Sequence, residues 1–157
     1  MNRIEIIPYD YTQPQHLKGI ATLINAYIED RMGGGTPLSE SRQLRLADLL
    51  NRHPTTIVLL ACCESEVCGL LIAFENISTF TVRPMINIHD IVVLPEYRRK
   101  GIGKLLLEAA INTGKEKGCS RITLEVRQDN LPAQQLYKSM DFKETQPPMY
   151  YWRKELE

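Results

Sequence analysis

The segment Arg98-Arg99-Lys100-Gly101-Ile102-Gly103-Lys104 has the residue types needed to bind a phosphate group. It carries four positive charges and no negative one, and it follows an apolar run that ends at Leu94. The residues after it have helical periodicity, so we expect the segment to connect a strand to a helix N-terminus. Such a terminus offers unpaired N–H groups and partial positive charge, and glycines let a ligand approach the backbone. These features predict a pyrophosphate site.

Two familiar phosphate-binding motifs do not fit this segment. A P-loop requires Ser or Thr directly after its lysine, and Leu105 follows Lys104 here. A dinucleotide fingerprint requires a third glycine at position 106, where Leu106 stands. A solvated basic turn, whose glycines serve only the start of the helix, is the alternative interpretation.

The elements that must position this segment follow from the spacing of apolar residues. Strands are predicted at Arg3–Pro8, Thr56–Cys63, Val67–Phe74, Asn87–Leu94 and Arg121–Arg127, and from Phe142 onward. Helices are predicted at Gln15–Asp30, Ser41–Arg52, Ile102–Lys117 and Ala133–Met140, with a flexible loop at Gly33-Gly34-Gly35 and a mobile connection at Asn76–Pro84. This order, with three consecutive strands before the main helix, predicts one α/β domain (mixed α+β) over residues 1–157, with helices on both faces of a mixed sheet.

Residues Ile91–Gly103 resemble the acetyl-CoA signature of the GNAT superfamily of N-acetyltransferases, which is an apolar strand, Pro, a basic residue, then x-x-Gly-x-Gly. The resemblance continues through Asn130 and Tyr137 and is close over Asn87–Phe142. One departure is Arg99, where many members have glycine. The resemblance implies a mostly antiparallel sheet of six to seven strands with a splayed central pair. It also implies transfer of an acetyl group from acetyl-CoA, as co-substrate, to an amine by direct attack in a ternary complex.

The resemblance implies two groups of contacts with acetyl-CoA, and no metal. Phosphates would be bound by the side chains and backbone N–H groups of Arg98, Arg99, Lys100, Gly101, Ile102, Gly103 and Lys104. In the family, the strand that matches Ile91, Val92 and Val93 splays from its neighbour, so the pantetheine arm can pair with its backbone. An N–H near Val93 would then stabilise the oxyanion of the thioester. Asn130 resembles the family's amide contact to CoA, and a helix cap before Pro132 is the alternative, or additional, interpretation.

The resemblance also implies an acid and a base. Tyr137 matches the family's usual general acid for the leaving thiolate, with a half-buried core tyrosine as the alternative. His89 matches a position where relatives carry a proposed base, and strand alternation predicts that Asp90 points to the opposite face. A hydrogen-bonded structural histidine is the alternative for His89, with His53 and Glu75 as other candidate bases. An acyl-cysteine at Cys62, Cys63 or Cys68 is disfavoured because no histidine is placed predictably beside them.

The charge composition limits the classes of partner that we expect for this protein. Lys plus Arg and Asp plus Glu both number 19, so net charge does not indicate nucleic acid or a membrane surface as partner. We expect a cytoplasmic protein with a small-molecule amine as acceptor, bound by acidic residues among Glu29, Asp30, Glu75 and Asp90 and by segments 32–38, 76–84 and 149–152. A protein N-terminus or lysine is the alternative acceptor, and the family's dimers make a homodimer an expectation. A catalytically silent CoA sensor and a nucleotide-phosphate binding module are the competing functions.

Overall fold

Strands and helices follow the predicted order up to the final strand. The computed structural model describes residues 3–156. Its strands are β1 (Ile4–Pro8), β2 (Thr56–Cys63), β3 (Glu66–Ser78), β4 (Arg83–Val93) and β5 (Ile122–Leu124). Its helices are α1 (Pro14–Glu29), α2 (Glu40–Arg52), α3 (Ile102–Glu116) and α4 (Leu131–Ser139). A short 3-10 turn at Pro95–Tyr97 connects β4 to the basic segment.

The sheet has the strand order β1-β2-β3-β4-β5, antiparallel except that β5 runs parallel to β4. The β4–β5 pairing covers only Ile86–Ile122, Asn87–Thr123 and Ile88–Leu124 in the described part of the chain. Strand β4 continues to Val93 beyond the last of these pairs. The two strands therefore separate towards their C-terminal ends, which confirms the predicted splayed pair, and we call the space between them the gap.

Helices cover both faces of the sheet, as predicted. On one face α1 and α2 pack against the sheet through the buried side chains of Ile20, Leu23, Leu50, Leu60, Leu70 and Val92. On the other face α3 and α4 do so through Leu71, Ile86, Leu106, Leu107 and Tyr137. Each fully buried aliphatic side chain contributes about 1.5–3 kcal/mol to stability. These two layers hold β4 from both sides and so fix the position of the gap.

Residues 3–156 form five strands, fewer than the six to seven expected, because the segment from Phe142 onward forms no strand there. Pro147 and Pro148 interrupt it, and proline cannot donate a ladder hydrogen bond. The apolar pattern of Met149–Trp152 predicted strand from local composition, but Tyr150 is 88% and Trp152 85% exposed. Met149–Trp152 therefore packs in neither core, whereas Phe142 packs against the α3/α4 core.

The prediction of a mobile connection at Asn76–Pro84 is wrong. Strands β3 and β4 extend into it, leaving a turn of residues 79–82. The Arg83 guanidinium donates to the Gly118 carbonyl oxygen over 2.8 Å, and Thr81 Oγ1 donates to Ser120 Oγ over 2.9 Å. These contacts hold the hairpin against the loop between α3 and β5.

No helix within the described residues is long and apolar enough to cross a bilayer.

Candidate active site

The gap is lined by backbone N–H groups that the sheet leaves free. The Leu94 N–H donates to the Cys68 carbonyl oxygen of β3 over 3.0 Å. Because successive N–H groups of a strand alternate in direction, those of Ile91 and Val93 point away from β3, into the gap. The backbone of Val92 faces β3, and its side chain is buried against α1 and α2. Of the three predicted backbone contacts, Ile91 and Val93 therefore lie at the gap and Val92 does not.

A β-bulge at His89 changes which residues share a face of β4. Ile72 pairs with Asp90 and Ala73 with Ile88, so His89 is the extra residue on β4. The His89 ring lies 5.8 Å from the Phe74 ring, on the α1/α2 face, and Asp90 lies opposite Ile72 on that same face. The prediction that His89 and Asp90 point to opposite faces is wrong, because the bulge breaks the alternation.

Three ionisable side chains on different elements have raised pKa values. Burial raises the pKa of Asp90 on β4. Burial, and then the negative charge of Asp90, raise the pKa of Tyr27 in the last turn of α1. Burial raises the pKa of Tyr137 on α4 to about 12, and Tyr27 contributes to this increase. Asp90 thus raises the pKa of Tyr27, Tyr27 raises that of Tyr137, and each of the three groups favours its neutral form.

Tyr137 combines a buried ring with a reachable hydroxyl. Its residue is 8% exposed, and its ring lies 6.0 Å from that of Phe142. The hydroxyl makes no hydrogen bond to another described residue. It is not completely buried either, because Thr56 Oγ1 is the only completely buried side-chain oxygen or nitrogen without a partner in the described residues. The hydroxyl therefore reaches solvent, so the core and the acid interpretations are compatible.

The basic segment forms an open, uncapped helix start. Gly101 is the N-cap of α3 with φ of 82°, and no described side chain caps the helix. A Cβ added to Gly101 would meet nothing within 4 Å. The N–H groups of Ile102, Gly103 and Lys104 belong to the first turn, where the helix itself supplies no acceptor. This geometry can bind an anion, as the sequence predicts.

Gly103 has a packing role that the sequence did not show. A Cβ added there would lie 3.0 Å from Cδ2 of Leu136 in α4. The missing side chain therefore allows α3 and α4 to approach closely. This approach positions α4, and with it Tyr137, relative to the basic segment.

The four cations of the segment have different surroundings. Arg98 donates from Nη2 to Asp30 Oδ2 over 2.9 Å and from Nε to the Val93 carbonyl oxygen over 3.0 Å. Lys100 Nζ lies 4.9 Å from the centre of the Tyr97 ring. Lys104 Nζ lies 3.8 Å from Glu108 Oε1, a weak and exposed pair. Arg99 is exposed and has no ion pair within the described residues.

Asn130 acts as a helix cap, which was the alternative interpretation of this residue. It is the N-cap of α4, and its Oδ1 accepts a hydrogen bond from the Ala133 N–H over 3.3 Å. The cap uses the side-chain oxygen and leaves the Nδ2 donors without a partner among the described residues. A contact from Nδ2 to the coenzyme is therefore compatible with the cap and stays a prediction.

Two of the acidic residues considered for the acceptor or the base are engaged elsewhere. Glu75 pairs with Lys117, the C-cap of α3, over 2.7 Å and lies opposite Ile86, on the α3/α4 face, so it is not at the gap. Asp30 accepts from the Met32 N–H and from Arg98, and these bonds lower the pKa of Asp30. Glu29 is exposed, and the His53 ring lies 4.8 Å from Phe74 on the same face as His89. Of the four acidic candidates, Asp90 alone is neither exposed nor paired with a basic side chain within the described residues.

The cysteines are unsuited to an acyl-enzyme. Cys68 is fully buried, its thiol donates to the Ala61 carbonyl oxygen over 3.3 Å, and burial raises the pKa of this thiol to about 11. Burial also raises the pKa of Cys62. A thiol with a raised pKa is a poor nucleophile near neutral pH.

The sequence reasoning missed Tyr27 and Arg127. Tyr27 continues the apolar face of α1 formed by Ile20, Leu23 and Ile24, and a tyrosine at the end of such a face was the available signal. Arg127 follows β5 and binds Asp129 through two hydrogen bonds, of 2.9 and 2.8 Å. Its Nη1 also donates to the carbonyl oxygen of Met32, just after α1. This contact spans 95 residues, so no local sequence pattern indicates it.

The model of the Acetyltransferase (GNAT) family matches residues 18–142, and the chain belongs to this family. It is similar to an aminoglycoside N(6')-acetyltransferase type 1 of Acinetobacter haemolyticus, 26% identical over 119 residues that cover 74% of this chain and 82% of the relative. It is also similar to an N-alpha-acetyltransferase of Sulfurisphaera tokodaii, 42% identical over 96 residues that cover 57% of this chain and 58% of that protein. The crystal structure of a probable acetyltransferase superposes with a TM-score of 0.81 at 25% identity, covering 99% of both chains. The fold and these relatives identify an N-acetyltransferase, and the GNAT resemblance seen in the sequence is confirmed.

Proposed function

We propose that this enzyme transfers the acetyl group of acetyl-CoA to the primary amine of a small molecule, by direct attack within a ternary complex. The observation that carries the proposal is the continuity of the uncapped start of α3 with the gap beside Ile91 and Val93. One ligand with phosphates at one end and amides at the other would use both. We further propose that residues 1–157 act as a single domain, and that it works in the reducing cytoplasm, in keeping with its four free thiols.

Acetyl-CoA is a substrate here, and the residues present suit its chemistry. Its phosphates would contact Arg99, Lys100, Lys104 and the first N–H groups of α3, where charge and helix dipole favour anions. Its pantetheine amides would pair with the free backbone of β4, as an added strand does. Asn130 Nδ2 would donate from the other side of the gap.

The reaction then balances as follows. The amine nitrogen forms a bond to the thioester carbonyl carbon, and the carbon–sulfur bond breaks to give the amide and CoA. The Val93 N–H stabilises the oxyanion that develops between these steps. His89, directly or through water, accepts the amine proton, and Asp90 is the second candidate because the bulge places both on one face. Tyr137 donates a proton to the leaving sulfur, so that CoA is released as a thiol.

The pKa of Tyr137 defines what the tyrosine can do. At about 12 it lies well above the ordinary thiol value of about 8.5. Tyr137 therefore enters the reaction neutral at physiological pH, as a hydrogen-bond donor. Its main contribution is a hydrogen bond that strengthens as negative charge develops on sulfur. After Tyr137 passes its proton to the sulfur, solvent reprotonates the tyrosine.

The acceptor is proposed from the charges left at the gap. With Glu75 on the other face and Asp30 paired with Arg98, Asp90 alone of the acidic candidates offers a half-buried carboxyl without an ion pair among the described residues. This favours an acceptor that presents one ammonium group at the reacting centre. The N-terminus of a protein or peptide is the second candidate, because the Sulfurisphaera tokodaii relative, named an N-alpha-acetyltransferase, is 42% identical over its matched part.

Release of free thiol from acetyl-CoA tests the proposal across a panel of monoamines, diamines, aminoglycosides, amino acids and peptides with free N-termini. Amine-dependent thiol release with a small molecule, and formation of the matching N-acetyl product by mass spectrometry, is the expected result. Activity with peptides alone would transfer the assignment to the second candidate. Tight binding of acetyl-CoA without turnover on any amine would instead indicate a CoA sensor. A homodimer, also proposed, is checked by light scattering.

A further inference from the structure

Two arginines from opposite sides of the gap bind one loop. Arg98, which follows β4, donates to Asp30 Oδ2 over 2.9 Å, and Arg127, which follows β5, donates to the Met32 carbonyl oxygen over 3.3 Å. Both acceptors belong to residues 30–35 after α1, which we call the bridging loop. The loop is thereby attached to both of the strands that separate.

The attachments lie beyond the point where the strands part. The last β4–β5 pair joins Ile88 to Leu124, whereas Arg98 also donates to the carbonyl oxygen of Val93 at the end of β4. Val93 directs its carbonyl, like its N–H, towards the gap. The Arg98 guanidinium therefore sits at the open end of the gap, and the bridging loop crosses that end.

The bridging loop is tightly folded, although its three glycines predicted a flexible segment. Asp30 Oδ1 accepts from the Met32 N–H over 2.9 Å, and the Gly34 N–H donates to the Ile28 carbonyl oxygen over 2.9 Å. A Cβ on Gly33 would lie 2.0 Å from the Tyr27 carbonyl oxygen. The glycines thus allow the loop to fold back on the last turn of α1.

The loop also lies next to the ionisable groups of the site. Tyr27, in the turn of α1 against which Gly33 packs, has its pKa raised by burial and by the charge of Asp90, and Arg127 opposes this increase. The bridging loop and its two arginines are therefore neighbours of the groups proposed to handle the acceptor.

We propose that Arg98 and Arg127 are positioning residues that hold the bridging loop across the gap as one wall of the acceptor site, and that Arg98 does not bind the coenzyme's phosphates. The planar guanidinium of an arginine holds a carboxylate and a carbonyl in a fixed relative geometry, which the flexible ammonium of a lysine does not impose. Turning its Nε and Nη2 donors to a phosphate would cost Arg98 both of its present acceptors. Arg99, without an ion pair among the described residues, meets no such cost. The inference rests on the proposed function for the identity of the two ligands.

Hydrogen exchange of the ligand-free protein tests the attachment without any activity. We compare the wild type with Arg98→Gln, Arg127→Gln and Asp30→Asn, and use Arg52→Gln, which breaks an exposed pair with Asp48 on α2, as the matched control. The three gap variants should speed exchange in a peptide covering residues 30–35 at least tenfold, and the control should leave it unchanged. Unchanged exchange in Arg98→Gln would overturn the proposal, whether or not the protein binds acetyl-CoA.

Binding and kinetics then separate positioning from phosphate contact. Arg98→Gln and Asp30→Asn should each raise KM for the best amine of the panel about tenfold, and the double variant should do no more than either. Calorimetric Kd for acetyl-CoA should change less than threefold in both, and at least fivefold in Arg99→Gln. A tenfold weaker Kd in Arg98→Gln, with Asp30→Asn like the wild type, would overturn the positioning role. Absence of acetyl-CoA binding in the wild type would overturn the proposed function and leave the exchange result to decide the attachment.

Discussion

The carbonyl oxygen of Val93 accepts a hydrogen bond from Nε of Arg98 over 3.0 Å, so the first residue of the basic segment fixes the last residue of β4. The same Val93 turns its N–H into the gap. A donor that is already held in place costs little reorganisation when charge develops on a substrate oxygen, and such preorganised donors contribute strongly to acyl transfer. The contact therefore links the basic segment, where we propose that phosphates bind, to the N–H that we propose stabilises the oxyanion.

Tyr137→Phe should lower kcat and leave Kd for acetyl-CoA within twofold, because it removes the hydroxyl and keeps the buried ring. Loss of a general acid typically costs about 10²–10⁴-fold. Steady-state kinetics with calorimetry measures both quantities. Tyr97→Phe, which removes a hydroxyl that donates to Glu66 outside the gap, is the control. Full turnover in Tyr137→Phe would exclude Tyr137 as the acid.

His89→Gln should reduce kcat/KM about 10²-fold at pH 7 and much less at pH 9.5. At the higher pH a larger fraction of the amine is already neutral, so a base matters less. The pH profile of kcat/KM measures the effect, and Asp90→Asn provides the comparison. An equal loss at both pH values in His89→Gln would mean a structural role, and a pH-dependent loss confined to Asp90→Asn would assign the base to Asp90.

Asp90→Asn should raise Tm at pH 7. Burial raises the pKa of Asp90 above its ordinary 3.8, so the folded state binds this proton more tightly than the unfolded state. Stability therefore falls as pH rises from below 3.8 through the folded-state pKa, and stays lower above it. The gain should shrink as pH falls towards 4, as measured by differential scanning calorimetry. Asp48→Asn on exposed α2 should give no gain, and an equal or lower Tm in Asp90→Asn at pH 7 would contradict the burial of a charged carboxylate.

Gly33→Ala should destabilise the fold by about 1–3 kcal/mol, the usual cost of overpacking. Its Cβ would lie 2.0 Å from the Tyr27 carbonyl oxygen, so backbone must move. Gly35→Ala is the matched control, since its only contact within 4 Å among the described residues is Cγ2 of the half-buried Ile28 side chain at 3.3 Å, which a shift of a few tenths of an ångström relieves. Urea unfolding should therefore show a clear loss for the first variant and a change within about 0.5 kcal/mol for the second. Equal stability of the two would contradict the tight folding of the bridging loop.

Contiguous signals were readable from the sequence. The basic segment, the helix after it and Tyr137 all lie within residues 98–137, where charge, glycine spacing and apolar period agree. The core helices α1 and α3 also followed from period alone. Such features depend on residues that are neighbours along the chain.

The bulge and the long-range contacts were not readable. Residues 87–94 carry apolar side chains for both faces, so their pattern does not show where His89 interrupts the alternation. The Arg98–Asp30 bond spans 68 residues, and the Glu75–Lys117 pair joins β3 to the C-cap of α3. Tertiary packing creates these contacts, and it also leaves Met149–Trp152 exposed despite a composition that favours strand.

The central claim is that acetyl-CoA binds at the start of α3, and a pair of glycine variants tests it most directly. Gly101 and Gly118 lie at opposite ends of α3, both with positive φ, 82° and 68°, and both with open space where a Cβ would lie. Gly101→Glu and Gly118→Glu therefore introduce similar backbone strain and the same charge. Calorimetric titration with acetyl-CoA should show at least a hundredfold loss of affinity in Gly101→Glu and wild-type affinity in Gly118→Glu. Equal affinity in the two variants would contradict the claim.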